Sequence, residues 1–308
     1  MIDLTQSVTV APVLPPRVSI VCAFYNGANF LSAAVESVLA QDFSDFELLL
    51  VDDGSSDGSS EIARMYADLC PDKIRYLEHS GHVNRGAGPS RNLGLRQSEG
   101  EFVAIIDADD VWRPHKLREQ ISILEANPDA GMVCGTVNYW SSWAGGEDKL
   151  VGTGDRRDAL SRPPETLLRL YPLGSADAPC PSDLMIRRQV FEAGCTFDED
   201  FSGPVQMYED QTFLVKVYLN WPVYFSTGVW LDYRQHPESC VSTVVREGFY
   251  PRMRWQFLEW LAGYVAQGDF KGRDAILRSI DRAKWVLRHP RMGRLLQRTK
   301  SAFRILRH

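Results

Sequence analysis

The sequence predicts an α/β fold: a Rossmann-like, mostly parallel central sheet followed by a helical C-terminal extension. Three observations carry this. Between residues 17 and 127, apolar β-branched runs alternate with segments whose apolar residues recur at helical spacing. The runs are continuous rather than alternating, as expected of strands covered on both faces. From Tyr250 onward only helical periodicity remains.

Residues 1–16 read as a lead-in ending in Pro15-Pro16. "RVSIVCAFYN" (17–26) is a buried strand, and "ANFLSAAVESVLAQ" (28–41) a helix with Phe30, Leu31, Ala34, Val35, Val38 and Leu39 on one face. "FELLLVDDGSSDGSS" (46–60) is a strand running into a polar turn, and 60–70 a helix opened by a serine. A short strand (74–80), a helix (88–100) closed by Gly100 and the strand "EFVAIIDADD" (101–110) follow. The helix at 113–127 carries Pro114 in its first turn, where its missing N–H costs nothing. Beyond 128 the pattern weakens. Strands are expected at 131–140 and 222–236, a polar loop at 144–158, and helices at 164–171 and after Asp210. The last helices span about 251–267, 271–288 and 291–307. The chain thus divides into a regular strand–helix half (17–127), a less regular second half (128–245) and a helical extension (246–308).

The 308 residues, 44% hydrophobic and 24% charged, have ordinary globular composition. No apolar run reaches 18 residues, so no bilayer-spanning helix is expected, and the N-terminus lacks the basic region of a secretory signal. Six cysteines without C-x-x-C or zinc-site spacing read as reduced, mostly buried thiols of a cytoplasmic protein. The net charge of −6 hides an asymmetry. Residues 271–308 hold 12 Lys/Arg against 2 Asp/Glu, a net +10, so the rest of the chain carries −16.

Three predicted strands end in polar clusters: Tyr25-Asn26, Asp52-Asp53, and Asp107 to Asp110. Open parallel sheets bind ligands beyond the carboxyl ends of their strands, so these clusters mark a candidate site. Asp107, Asp109 and Asp110 repel one another unless a cation offsets them. Hard oxygen ligands suit Mn²⁺ or Mg²⁺, which could bridge to a diphosphate. Strand alternation would put Asp107 and Asp109 on one side. The bland alternative is that Asp109 or Asp110 caps the following helix.

"VSIVCAFYN" (18–26), "LLLVDDGSSDGS" (48–59), "NRGAGPSRNLGL" (84–95), "FVAIIDADD" (102–110), "MYEDQTF" (207–213) and "YRQHPESCVS" (233–242) occur in that order. Together they resemble the inverting family 2 glycosyltransferases, which have the GT-A fold, over about residues 17–240. Ala23 stands where the family usually has proline, and Ser90 where it has alanine; both put backbone geometry in question but remove no polar ligand.

The resemblance implies a metal-dependent transfer of sugar from a nucleoside-diphosphate sugar, most often UDP-linked, to a hydroxyl of a saccharide or lipid-linked acceptor. Surface polysaccharide or glycolipid synthesis is the setting it suggests. It places Ala23, Tyr25, Asn26, Asp52, Asp53, Asn84, Gly86, Arg91, Asp107 and Asp109 around the nucleotide-sugar. Asp53 is favoured over Asp52 for the base, and Arg91 would offset the carboxylates or fix Asp53. Asp109 and His236 are the implied metal ligands, and Asp210 the base that takes the acceptor proton. Glu209, Trp140 and Trp143 are expected on the acceptor side. Trp112, Trp221 and Trp230 read as core.

In the tail, Leu295, Leu296, Ala302, Phe303 and Leu306 share one helical face while Arg294, Arg298, Lys300, Arg304 and Arg307 lie around it. That pattern suits a helix on an anionic membrane surface, at the inner face of the cytoplasmic membrane, or one packed on its own domain. No nucleic-acid module accompanies the basic tail. Two rival readings fit the sequence less well. A haloacid-dehalogenase-like phosphatase leaves "VDDGSSDGS" unexplained. An inactive nucleotide-sugar-binding module would not be expected to keep Asp107, Asp109 and Asp210.

Overall fold

A computed structural model describes residues 14–154, 157–201 and 207–289, apart from the side chain of Val241. The first half is built from β1 (Val18–Phe24), α1 (Leu31–Leu39), β2 (Phe46–Asp52), α2 (Ser59–Leu69), β3 (Ile74–Glu78), α3 (Ala87–Gln97) and β4 (Phe102–Ile105). β5 (Val111–Trp112) and α4 (Lys116–Ala126) follow. The second half adds β6 (Met132–Trp140), β7 (Lys149–Gly152), β8 (Ala159–Ser161), α5 (Glu165–Arg169), β9 (Met185–Arg187), α6 (Arg188–Glu192), α7 (Glu209–Asn220), β10 (Val223–Arg234) and α8 (Cys240–Arg246). The extension is α9 (Tyr250–Gln267) and α10 (Arg273–Arg288).

All ten strands of the described residues form one sheet, in the order β3-β2-β1-β4-β9-β6-β10-β5, with β7 on β6 and β8 on β10. β3, β2, β1 and β4 are parallel, as expected from their continuous burial. The second half is mixed. β9 runs antiparallel to both β4 and β6 and joins the halves, a role its three residues do not announce in sequence. Part of the expected 144–158 loop is β7, paired antiparallel with β6.

Side chains alternate between two cores, as strand geometry requires. Ile20, Cys22, Leu48 and Leu50 face α1, α2 and α4, while Val21, Leu49 and Val51 face α3, α7 and the extension. α3 lies close on β1: a Cβ on Gly94 would stand 2.4 Å from Val21 Cγ1, so only glycine fits. Trp112 and Trp230 are core, as expected, and Trp221 is partly buried against it. No disulfide joins the cysteines, and Cys22, Cys134 and Cys195 are buried.

The extension shares the main core. Phe257, Leu258, Leu261, Val265, Ile276 and Ile280 are fully buried in the cluster that contains Val21 and Leu49. At about 1.5–3 kcal/mol for each such side chain, α9 and α10 are part of the domain energetically and not an appendage. The expected helix at 291–307 lies outside the described residues. Among the described residues no helix is long and apolar enough to cross a membrane.

Candidate active site

β4 ends at Ile105, and the Asp110 amide donates to the Asp107 carbonyl at 3.1 Å. The acidic run is therefore a turn. Strand alternation does not govern it, and its three carboxylates go to three different partners. Asp107 Oδ1 accepts from Arg91 Nη2 at 2.6 Å. Asp109 Oδ2 lies 2.9 Å from His236 Nε2. Asp110 turns inward, fully buried, accepting from the Ser182 hydroxyl at 2.5 Å and the Arg234 amide at 3.0 Å. It does not cap α4, whose N-cap is His115. Burial first, then Asp109 and Asp107, push the Asp110 carboxyl well above the usual range.

Arg91, on α3, is buried to 5% exposure. It bridges Asp107 and Glu209, donating through Nη1 to Glu209 Oε1 at 2.8 Å, with its guanidinium 5.3 Å from the Phe197 ring centroid. Of its two expected roles it fills the first, offsetting the carboxylates. Asp53 is fixed instead by the Arg85 amide (2.7 Å), the Gly86 amide (2.8 Å) and the Ser90 hydroxyl (3.0 Å). The departure to serine at position 90 thus supplies a hydrogen bond.

Asp52 is also buried, accepting from the Ser55 amide (2.8 Å), Tyr76 hydroxyl (2.9 Å) and Ser60 hydroxyl. Both carboxylates hold turns of the chain, and neither faces open solvent. Asn26, with φ +50°, accepts from the Ser56 amide through its side chain at 2.8 Å and so docks the first turn on the second. Gly54 is required there: at φ +81°, a Cβ would stand 2.7 Å from the Asn84 nitrogen. Tyr25 is left 53% exposed at the mouth, Ala23 is half-buried in β1, and Asn84 is exposed on the facing loop.

Glu209 and Asp210 open α7, where carboxylates meet the positive end of the helix. The preceding Tyr208 has φ +78°, a left-handed backbone that costs a non-glycine residue about 1–3 kcal/mol. Asp210 is half-buried and accepts from the Gln211 amide at 2.7 Å and from Gln211 Nε2 at 3.1 Å. Burial, then the Glu209 charge, push its carboxyl up to about 7, against the opposing pull of Gln211 and Arg91.

Bulges in β10 after Phe225 and Val229 let its end pair with β6 through Arg234 opposite Trp140. Arg234 Nε donates to the Asp109 carbonyl at 2.7 Å. Its guanidinium lies 4.4 Å from the Trp140 centroid, 4.9 Å from Trp143 and 5.1 Å from Phe30. The expected acceptor-side tryptophans therefore surround Arg234, on the Asp109–His236 side. Trp143 Nε1 also donates to the Gln235 carbonyl at 3.1 Å.

The donor set fits a metal that arrives with its substrate. Among the described residues no group of three His, Cys, Asp or Glu could hold an ion unaided. Asp109 and His236 supply one oxygen and one nitrogen facing each other, and Mg²⁺ or Mn²⁺ bound through one or two side chains takes its remaining ligands from phosphates and water. Sequence reasoning missed Ser182, whose hydroxyl links the Asp107 amide (2.9 Å) to Asp110, and Tyr208. A serine after a proline and a tyrosine at left-handed φ leave no periodic signal.

A parallel half, an acidic turn at its edge and a carboxylate pair opening a facing helix make up a GT-A-like arrangement. The chain belongs to glycosyl transferase family 2, whose family model matches residues 19–194. An uncharacterized glycosyltransferase of Nostoc sp. is 39% identical over 117 residues, which cover 38% of this chain and 35% of the relative. The putative teichuronic acid biosynthesis glycosyltransferase TuaG of Bacillus subtilis is 35% identical over 111 residues, covering 35% of this chain and 42% of that protein. The matches thus span well under half the length of these curated relatives. The fold matches S. aureus TarS 1–349 in complex with UDP-GlcNAc at a TM-score of 0.66, with 20% identity over 87% of this chain and 72% of that one. It also matches the Pyrobaculum calidifontis mannosyltransferase PcManGT in complex with GDP-Man and Mn²⁺ (TM-score 0.53, 19% identity, 97% of this chain and 85% of that one).

Proposed function

We propose that the chain is an inverting, metal-dependent glycosyltransferase with Asp210 as its base, moving a sugar from a nucleoside-diphosphate sugar to a saccharide or lipid-linked hydroxyl. One observation carries this. A half-buried carboxyl raised to about 7 opens α7, and its neighbour Glu209 is joined through Arg91 to Asp107 of the acidic turn. A sugar hydroxyl is a poor nucleophile, and a base titrating near the working pH is best placed to take its proton. The acceptor oxygen then bonds to the anomeric carbon as the bond to the diphosphate breaks, and displacement from the opposite face inverts the configuration. Tyr25 would stack on the base. The 84–86 turn, held by Asp53, would face the nucleotide, and Asp107 the ribose or sugar. Asp109 and His236 would hold Mn²⁺ or Mg²⁺, which supplies Lewis-acid stabilisation to the departing diphosphate.

The nearness of TuaG and the UDP-GlcNAc complex of TarS support a UDP-linked donor and a polysaccharide setting. A cytoplasmic location is proposed from the cysteine pattern, and contact with the membrane surface from the basic tail. Deleting 291–308 should abolish co-sedimentation with anionic vesicles; unchanged binding would remove the tail from the proposal. The functional test is a melting-temperature screen of UDP-, dTDP- and GDP-sugars with Mn²⁺. A ligand at 100 times its Kd stabilises the folded state by about 2.7 kcal/mol. One nucleotide class should raise the melting point only with metal, and no response to any would refute the donor site.

A further inference from the structure

We propose that helix α9 of the extension is a positioning element for the catalytic acids, an inference that rests on reading Asp210 as the base. α9 grips the chain leading into α7 at several points. Trp260 Nε1 donates to Asp198 Oδ2 at 2.8 Å. Phe201 packs edge-on against Phe257 (6.4 Å) and Trp260 (5.7 Å). Phe257 stacks on Tyr208, centroids 4.9 Å apart and planes at 18°. The Tyr171 hydroxyl links those of Tyr208 and Tyr250, the latter at 2.9 Å. Arg254, also on α9, donates to the Tyr250 hydroxyl at 3.2 Å and to the Pro172 carbonyl at 3.0 Å.

The Phe257 stack and the Tyr171 hydroxyl link meet at Tyr208, the residue with left-handed backbone directly before Glu209 and Asp210. Such a conformation persists in a non-glycine residue only when its surroundings over-determine it. The Tyr208 carbonyl accepts the Thr212 amide at 3.0 Å, and the Thr212 hydroxyl accepts the Asp198 amide at 3.1 Å. Moving Tyr208 therefore tilts the first turn of α7, and with it the Asp210 carboxylate. The donor half has its own support: Asp53 is held by the Arg85 and Gly86 amides and the Ser90 hydroxyl. α9 should thus act on turnover and not on nucleotide binding.

The full-length chain tests this through hydrogen exchange at the Thr212 amide. Tyr171→Phe combined with Trp260→Phe removes the hydroxyl link and the indole hydrogen bond while keeping aromatic rings at both positions. Exchange across 207–213 should quicken about tenfold, while the amides of β1 to β4 keep their rates. UDP affinity with Mn²⁺ should stay within about twofold. Turnover of the nucleotide-sugar selected by the melting screen should fall about 10- to 100-fold, as expected for a displaced base. Phe257→Leu, which breaks the stack on Tyr208, should give the same local pattern. Unchanged exchange at Thr212, or equal quickening throughout the sheet, overturns the proposal. Asp210→Asn separates it from the reading beneath it. If that variant keeps full turnover while the α9 variants still loosen 207–213, the base assignment fails and the grip of α9 stands.

Discussion

Replacing Arg91 with leucine tests how the two halves of the site are joined. The guanidinium is 5% exposed and hydrogen-bonds two carboxylates, at 2.6 Å and 2.8 Å. Removing one partner of a buried ion pair leaves uncompensated charge and costs about 3–5 kcal/mol. The side chains of Asp107 and Glu209 keep 24% and 14% exposure, so water can reach them in part and the lower end, about 3 kcal/mol, is expected. At about 2 °C per kcal/mol for a chain of this size, the melting point should drop by about 6 °C. Combining Arg91→Leu with Glu209→Gln should cost less than the sum, with a coupling of about 1–2 kcal/mol. Arg91 also pulls the Asp210 carboxyl downward, so its loss should move the acid limb of the rate profile to higher pH. Chemical denaturation of the four proteins and a pH–rate profile make the check. A loss below about 1 kcal/mol with strict additivity would show that Arg91 does not bridge the site.

Four further outcomes follow. Transfer should rise with pH through about 7, because Asp210 must be ionised to accept a proton. Its folded value lies above the unfolded one near 4, so ionisation costs stability: Asp210→Asn should be the more stable protein at pH 8, and denaturation at pH 4 should find that advantage gone. Gly54→Ala forces a side chain against the Asn84 nitrogen at φ +81° and should weaken UDP binding about tenfold by calorimetry; wild-type affinity would show that the turn does not shape the nucleotide site. Asp109→Ala should make UDP binding indifferent to Mn²⁺, and a wild-type metal increment would remove Asp109 from the ion.

The parallel half was legible because each strand writes a continuous apolar run and each helix a 3.6-residue period. β1 to β4 and α1 to α3 fall within a few residues of their expected places. The acidic run and the Glu209–Asp210 pair were legible as ordered motifs, but the run reads as strand in sequence and folds as a turn after Ile105. What could not be read was pairing between side chains far apart in sequence. Arg91 goes to Glu209 and not to Asp53, and Asp110 goes inward to Ser182 and the Arg234 amide. The tryptophans at 140 and 143 turn to Arg234. Short antiparallel strands such as β9 carry too few residues to show a period, and the stacking and hydrogen bonds between α9 and the segment before α7 join residues far apart in sequence.

The central claim is that Asp210 takes the acceptor proton in a nucleotide-sugar transfer. Nucleotide release from the selected donor, measured for wild type and Asp210→Asn together with donor affinity, tests it most directly. A fall of at least about 100-fold with donor affinity unchanged is expected of a lost general base. Release by Asp210→Asn at the wild-type rate would contradict the account.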